Sequence, residues 1–291
     1  MPGIFGPKNG NLNRSSSGEI AREEKSEAME LGLISKSHLA FGSATSVGKS
    51  RSHNEDSLFA SSTYILGVSG PSEIGIFAVA DGMGGHLSGE IASSTAINTV
   101  SNKLLASLIS QNFNKNRELE ADSLEVIIEE AFLEAQNEVL RSAPGGGTTL
   151  TVAVCVGDNV AWGHVGDSRL YHIDKLSKLD RITHDHSLVG RLVELGQLSE
   201  DEVEDHPQKN VLIKALGQLD GFKVDHGHFL IQPGERIILC SDGLWGQVSD
   251  RNILKLTKAF ADLSQSCSAL VQSANDVGGP DNISMIMVEY Q

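Results

Sequence analysis

Three aspartates stand where an apolar run stops. Ile74 to Ala80 runs into Asp81-Gly82, Val160 to Gly166 into Asp167-Ser168-Arg169, and Ile237 to Ser241 into Asp242-Gly243. Two more acidic points lie outside that pattern: Asn54-Glu55-Asp56 early in the chain, and Gly279-Pro280-Asp281-Asn282 just before the last apolar run. A carboxylate at the end of a buried strand is costly unless a partner offsets its desolvation, and a metal ion is the usual partner. Taken singly, each aspartate also reads as a turn residue, because Asp-Gly and Asp-Asn are common turn pairs. Five together, with almost no pairing of histidine and cysteine, argue for hard oxygen ligands. Such ligands suit Mg²⁺ or Mn²⁺ and do not suit a thiolate zinc site. Converging carboxylates repel one another unless more than one cation sits among them. That points to a two-metal centre, where a bound water loses a proton near neutral pH and attacks a phosphoryl group. Arg51 then has a role, since a guanidinium is the natural bidentate clamp for phosphate; its bland reading is a surface arginine.

The elements that must position these residues are legible from periodicity. Strand-like stretches at 38–47 and 57–68 frame the segment Arg51-Ser52-His53-Asn54-Glu55-Asp56. The run 74–80 is a buried strand, and Gly82, Gly84 and Gly85 remove side chains where the backbone comes close to an ion or its ligand. Helical spacing follows from about Ser88 to 110, and again from Leu124 to Val139 with Glu129, Glu130, Glu134 and Glu138 off the apolar face. Residues 148–156 and 160–165 are separated only by Gly157-Asp158-Asn159, which demands an antiparallel hairpin. Residues 169–173 and 180–183 continue as a meander. A helix over 187–195, an exposed acidic flap over 197–210, strands at 222–231 and 235–240, helices near 250–262 and 265–276, and a strand at 283–289 complete the chain. This order argues for an α+β layered fold rather than a doubly wound sheet. A dinucleotide fingerprint is excluded too, because Leu87 takes the third glycine position after Gly82-Met83-Gly84-Gly85.

Bulk properties narrow the function classes. The chain has 291 residues, a hydrophobic fraction of 40% and a net charge of −15. Residues 1–38 hold five basic and five acidic residues, so the other 253 carry the whole imbalance. A negative field disfavours nucleic acid and anionic membrane, and favours cations. Cys155, Cys240 and Cys267 show no paired spacing, which fits a reducing compartment. No apolar run reaches membrane-span length and the N-terminus has no signal-peptide core, so a cytoplasmic protein is expected. Residues 1–18 read as a disordered tail and 19–35 as a short helix or linker, leaving 39–291 as a single domain.

In order along the chain, the motifs Arg51-Ser52-His53-Asn54-Glu55-Asp56, Ala80-Asp81-Gly82-Met83-Gly84-Gly85-His86, Gly147-Thr148-Thr149 and Gly163-His164-Val165-Gly166-Asp167-Ser168-Arg169 resemble those of one family. So do Thr183-His184-Asp185-His186-Ser187, Ala215-Leu216-Gly217, Ser241-Asp242-Gly243-Leu244-Trp245 and Gly279-Pro280-Asp281-Asn282. The family is that of the metal-dependent protein serine/threonine phosphatases, type 2C, and the match covers about residues 42 to 289. The resemblance implies a central β-sandwich of two antiparallel sheets flanked by pairs of helices, a four-layer αββα fold with the metals at one end. Carried over by motif, Asp81 bridges two Mn²⁺ or Mg²⁺ ions and the Gly82 carbonyl ligates one of them. Asp242 and Asp281 complete the first metal, Glu55 and Asp56 support the site through waters, and Asp167 with Asp242 holds a weaker third metal. Arg51 binds the substrate phosphate, and the water between the metals attacks phosphorus in line without a phospho-enzyme.

Some positions depart from the pattern. Eukaryotic members carry a histidine directly after Asp-Gly, often assigned as general acid; Met83 stands there in this chain, a wording similar to bacterial members. His53 and His86 lie nearby and read first as structural or solvent-facing, since a histidine needs correct geometry before its pKa matters. Lys214 replaces the arginine common before Ala-Leu-Gly. His184 and His186 flank Asp185 and read as flap-hinge residues before ligands. The expected substrates are phosphorylated proteins that a serine/threonine kinase has modified, with no nucleic acid or membrane partner and a monomeric state. The flap at 197–210 is where substrate choice is expected. One alternative is a pseudo-phosphatase that binds a phosphoprotein as regulator or scaffold. A metal phosphodiesterase of unrelated fold lacks the histidine-rich ligand set in this chain.

Overall fold

Apolar residues fill the run from Ile74 to Ala80 without alternating with polar ones, because the strand they form is covered on both faces. In the computed structural model, Ile76, Ala78 and Ala80 pack against a helical layer while Phe77 and Val79 pack into a facing sheet. That is the period-two pleat of a strand set between two apolar surfaces. The structure describes residues 39–67, 70–84, 87–112, 121–203, 206–219 and 222–291. The tail or weak helix expected over 1–38, and His86, lie outside them.

Strand β1 (Leu39–Ser46) opens the described chain, followed by β2 (Asp56–Gly67) and β3 (Gly70–Met83). Helices α1 (Leu87–Asn112) and α2 (Ala121–Ser142) come next. Then follow β4 (Gly147–Thr148), β5 (Leu150–Val156), β6 (Asn159–Val165), β7 (Arg169–Ile173) and β8 (Leu179–Arg181). Short helices α3 (Leu188–Glu194) and α4 (Glu200–Val203) precede β9 (Asp225–Leu230) and β10 (Arg236–Cys240). Helices α5 (Asp242–Trp245), α6 (Asp250–Thr257) and α7 (Leu263–Asp276) lead to β11 (Ile283–Tyr290).

Two antiparallel sheets result. One has the order β1-β11-β10-β7-β8, the other β2-β3-β5-β6-β9, with β4 paired to the end of β3. Three apolar clusters separate four layers. Phe77, Val79, Leu170, Ile237, Leu239 and Ile286 fill the space between the sheets. Val100, Leu104, Ile128 and Phe132 of α1 and α2 cover the second sheet. Ile253, Cys267, Leu270 and Ala274 of α6 and α7 cover the first. The four-layer αββα arrangement expected from the family resemblance is the one observed. All three cysteines are buried free thiols.

The expected meander holds between β7 and β8, which pair antiparallel, but breaks between β6 and β7. Gly166, with φ of +114°, turns the chain out of one sheet, and β7 pairs with β10 in the other. The three residues Gly166-Asp167-Ser168 are therefore a crossover, and Asp167 sits on it. The strands β9 and β10 likewise fall in different sheets. A short connection excludes a parallel neighbour but does not force a hairpin when the next strand can bury its apolar face in the facing sheet. Helix α6 ends at Thr257, short of the expected 262; the Thr257 carbonyl is taken by the Arg236 guanidinium. The turn expected at Asp242-Gly243 is the first turn of α5, and α4 lies within the expected flap.

Candidate metal and phosphate site

The antiparallel pairing brings distant aspartates to one end of the sandwich. Asp56 begins β2 and lies in register with Asp81 near the end of β3. Asp242 follows β10 and Asp281 precedes β11, two strands paired through Cys240 and Met285. Asp167 lies on the β6–β7 crossover. The end of a strand is where a side chain can leave the apolar layer while its backbone stays anchored by the ladder.

Hydrogen bonds fix the frame. The Asp81 N–H donates to Thr149 Oγ1 at 2.9 Å, the Thr149 N–H donates to the Asp81 carbonyl at 2.9 Å, and Thr148 Oγ1 donates to the same carbonyl at 2.8 Å. Ser241 Oγ donates to Asp56 Oδ2 at 2.9 Å and accepts the Ser284 N–H at 3.0 Å. Asn282 is the central strut. Its Oδ1 accepts the Glu55 N–H at 2.8 Å, and its Nδ2 donates to the carbonyls of Val47 and His53 at 2.9 Å each. The Gly82 N–H donates to the Glu55 carbonyl at 3.2 Å. Arg51 places an N–H on Asp281 Oδ2 at 2.7 Å, and His53 Nε2 meets Glu55 Oε1 at 2.9 Å.

Gly82 leaves no room for a side chain beside its backbone. A Cβ there would fall 2.3 Å from the Gly89 carbonyl oxygen at the start of α1. At Gly243 the demand is stricter, since a Cβ would fall 1.9 Å from the Asn282 carbonyl oxygen. These contacts press the turns that carry Asp81 and Asp242 against their neighbours.

The carboxylates are electrostatically strained. Burial pushes Asp56 up to about 7, with the charges of Asp242 and Asp281 adding to the rise against the bonds from Ser284 and Ser241. Burial raises Asp81 well above the usual carboxylate range, helped by Asp56, Asp242, Asp167 and Asp281. Asp167 and Asp242 are raised for the same first reason, and the Asp242 carboxyl lies within hydrogen-bonding reach of Asp81. Asp56, Asp81 and Asp242 still keep some accessible surface, so a small cation can reach them.

As the side chains stand, no three His, Cys, Asp or Glu groups among the described residues converge tightly enough to hold a metal ion. The donor set nonetheless fits hard divalent cations. Among the described residues, Asp56 Oδ1 and Asp242 Oδ1 are buried with no hydrogen-bond partner, an arrangement that positive charge would satisfy.

The structure brings Glu55, Asp56, Asp81, Gly82, Asp242 and Asp281 to one end of the sandwich, with Arg51 on its edge. Asp167 is a neighbour of Asp242. The His184 carbonyl accepts from His164 Nε2, and the His186 ring bonds Gly166 and Asp225. Lys214 reaches Asp225 at 3.5 Å. Sequence reasoning missed the struts Asn282, Ser241 and Thr149, and the indole of Trp245, which donates to the Asp167 carbonyl at 3.0 Å. Each adjoins or lies within a motif already singled out, so their polarity beside an aspartate was the available signal.

A family model described as Protein phosphatase 2C matches residues 46–278. Protein phosphatase PhpP of Streptococcus pneumoniae is 34% identical over 244 residues, covering 84% of this chain and 94% of that protein. Serine/threonine phosphatase stp of Listeria innocua is 32% identical over 254 residues, covering 84% and 93%. Among solved structures, the Mycobacterium tuberculosis serine/threonine phosphatase PstP/Ppp aligns with a TM-score of 0.70 at 28% identity, over 87% of this chain and 99% of that one. The PstP catalytic domain in complex with two manganese ions aligns with a TM-score of 0.68 at 27% identity, over 86% and 97%.

Proposed function

Because the chain belongs to the protein phosphatase 2C family and is a serine/threonine protein phosphatase, we propose that its strained carboxylate end is the catalytic centre. It hydrolyses phosphoserine and phosphothreonine in proteins and depends on Mn²⁺ or Mg²⁺. Asp81 and the Gly82 carbonyl, with Asp242, Asp281, Glu55 and Asp56, would hold two such ions, and Asp167 with Asp242 a weaker third. When bound, the ions supply positive charge among the carboxylates and the acidified water that attacks phosphorus. The observation that carries this reading is the pair of buried, unpartnered oxygens on Asp56 and Asp242.

Arg51 orients the substrate. One of its N–H groups holds Asp281, its side chain is 52% exposed, and the guanidinium has further donors to offer a phosphate oxygen. Asn282 and Ser241 keep Glu55 and Asp56 facing inward. His53, held between Ser52 and Glu55, orients the Glu55 carboxylate. The pseudo-phosphatase alternative has no missing carboxylate to rest on.

Residues 39–291 act in this reading as one catalytic domain, monomeric and cytoplasmic, opposing a serine/threonine kinase. The three free buried thiols fit a reducing compartment. No helix of the described residues is long and apolar enough to cross a membrane.

The test is hydrolysis of a phosphothreonine peptide after chelation, with Mn²⁺, Mg²⁺, Ca²⁺ or Zn²⁺ added back, alongside calorimetric Mn²⁺ binding. Turnover restored by Mn²⁺ or Mg²⁺ is the expected result. A folded protein that binds Mn²⁺ yet turns over nothing would overturn it.

A further inference from the structure

Three consecutive residues where the flap begins each grip one residue of the segment that carries Asp167. The His184 carbonyl accepts from His164 Nε2 at 3.1 Å. The Asp185 carboxylate takes Arg169 in two bonds, 3.0 Å from Nε and 2.6 Å from a terminal nitrogen. His186 holds Gly166 twice: its backbone N–H donates to the Gly166 carbonyl at 2.7 Å, and its Nδ1 accepts the Gly166 N–H at 3.1 Å. Asp167 is clasped from the residue before it and from the second residue after it.

The same residues close the flap at its base. The His186 carbonyl accepts the Ile213 N–H at 2.8 Å, and the Leu188 N–H donates to the Val211 carbonyl at 2.8 Å. Ser187 pairs with Leu212. With Nδ1 accepting from an amide, the ring proton of His186 sits on Nε2 and is donated to Asp225 Oδ2 at 3.0 Å. Lys214 meets the other oxygen of Asp225. On the far side, the Arg169 guanidinium stacks 3.5 Å over the Trp245 ring. Trp245 belongs to α5, the helix that begins at Asp242, and bonds the Asp167 carbonyl.

We propose that Asp185 and His186 are positioning residues that set Asp167 against Asp242, so that the placement of Asp167 follows the base of the flap. The proposal rests on reading Asp167 as a ligand of the weaker cation.

The test compares Asp167→Asn, His186→Leu, His186→Asn and the double variant Asp167→Asn/His186→Leu. It reads the Mn²⁺ concentration for half-maximal peptide turnover, Mn²⁺ binding by calorimetry, and amide exchange. Asp167→Asn should raise the Mn²⁺ requirement, and His186→Leu should raise it about tenfold, as loss of a ligand's support does. His186→Asn, whose Oδ1 replaces Nδ1 as acceptor, should stay within about twofold of wild type, and the double variant should be no worse than Asp167→Asn alone. An unchanged requirement in His186→Leu beside a raised one in Asp167→Asn overturns the proposal, as do effects that multiply in the double variant. If Asp167→Asn leaves Mn²⁺ binding intact, Asp167 is not a ligand and exchange decides the positioning claim. His186→Leu should then speed exchange at 164–168 and 187–189 together, and acceleration in one segment or neither overturns the claim. Should His186→Leu fail to fold, Asp185→Asn takes its place in every arm.

Discussion

Strand β3 holds both extremes of the molecule within five residues. Phe77 and Val79 are fully buried between the sheets among apolar neighbours. Asp81, two residues further on, lies among carboxylates that raise its pKa, close to two buried oxygens without partners. In the first region burial and chemistry agree; in the second they oppose each other. The sandwich interior is a rigid frame whose packing offsets a destabilised end, the usual division between scaffold and site.

Removing one charge from the strained end should give the largest effect. Asp242→Asn should lower phosphopeptide turnover on the order of 10³-fold, because a cation position is lost. In chelator, however, its thermal midpoint should rise, since a buried charge and its repulsion with Asp281 disappear. A lower midpoint in calorimetry would erase the contrast between the two regions. In the frame, Phe77→Ala should cost about 3–4 kcal/mol of stability from lost transfer and cavity terms. Urea unfolding measures this, and turnover per folded molecule should change little.

Two buried groups should tilt stability with pH in opposite directions. Asp56 is raised to about 7, so the native state binds more protons than the unfolded chain from about pH 4 to 7. Its contribution is present at low pH and lost as pH rises through 7. His164 is lowered to about 3 by burial, with the nearby His186 adding to that and Asp185 opposing it. Its contribution is present above about pH 6.5 and lost as pH falls towards 3. In chelator, Asp56→Asn should therefore make stability climb more with pH between about 4 and 7 than in wild type, and His164→Gln should make it climb less, each by on the order of 1–3 kcal/mol. Identical slopes in the two variants would show that the strained end is not specially protonated. The smallest effect is expected for Arg51→Lys. KM for the peptide should rise about three- to tenfold through loss of the planar fork, with kcat less affected.

Much of this contrast was legible in advance. Unbroken apolar runs such as Ile237 to Cys240 marked strands buried on two faces, and an aspartate ending each run marked the strained region. The sheet assignment was less accessible. Gly166-Asp167-Ser168 is short enough for a hairpin, and nothing local distinguishes a hairpin from a crossover; the choice is made by which sheet can accept Leu170. Nor could spacing pair Arg51 with Asp281, 230 residues away, or place the Asn282 amide between Glu55, Val47 and His53.

By itself the sequence determined the elements, the hard-ligand chemistry and the kind of reaction, because periodicity and residue type are properties of neighbouring positions. The tertiary structure alone decided that the carboxylates strain one another, that Asn282 and Ser241 brace them, and that Asp185 and His186 clasp Asp167 at the base of the flap. Those are relations between segments distant in the chain. Desolvation and Coulomb repulsion take their values only once packing has set the distances and excluded the water.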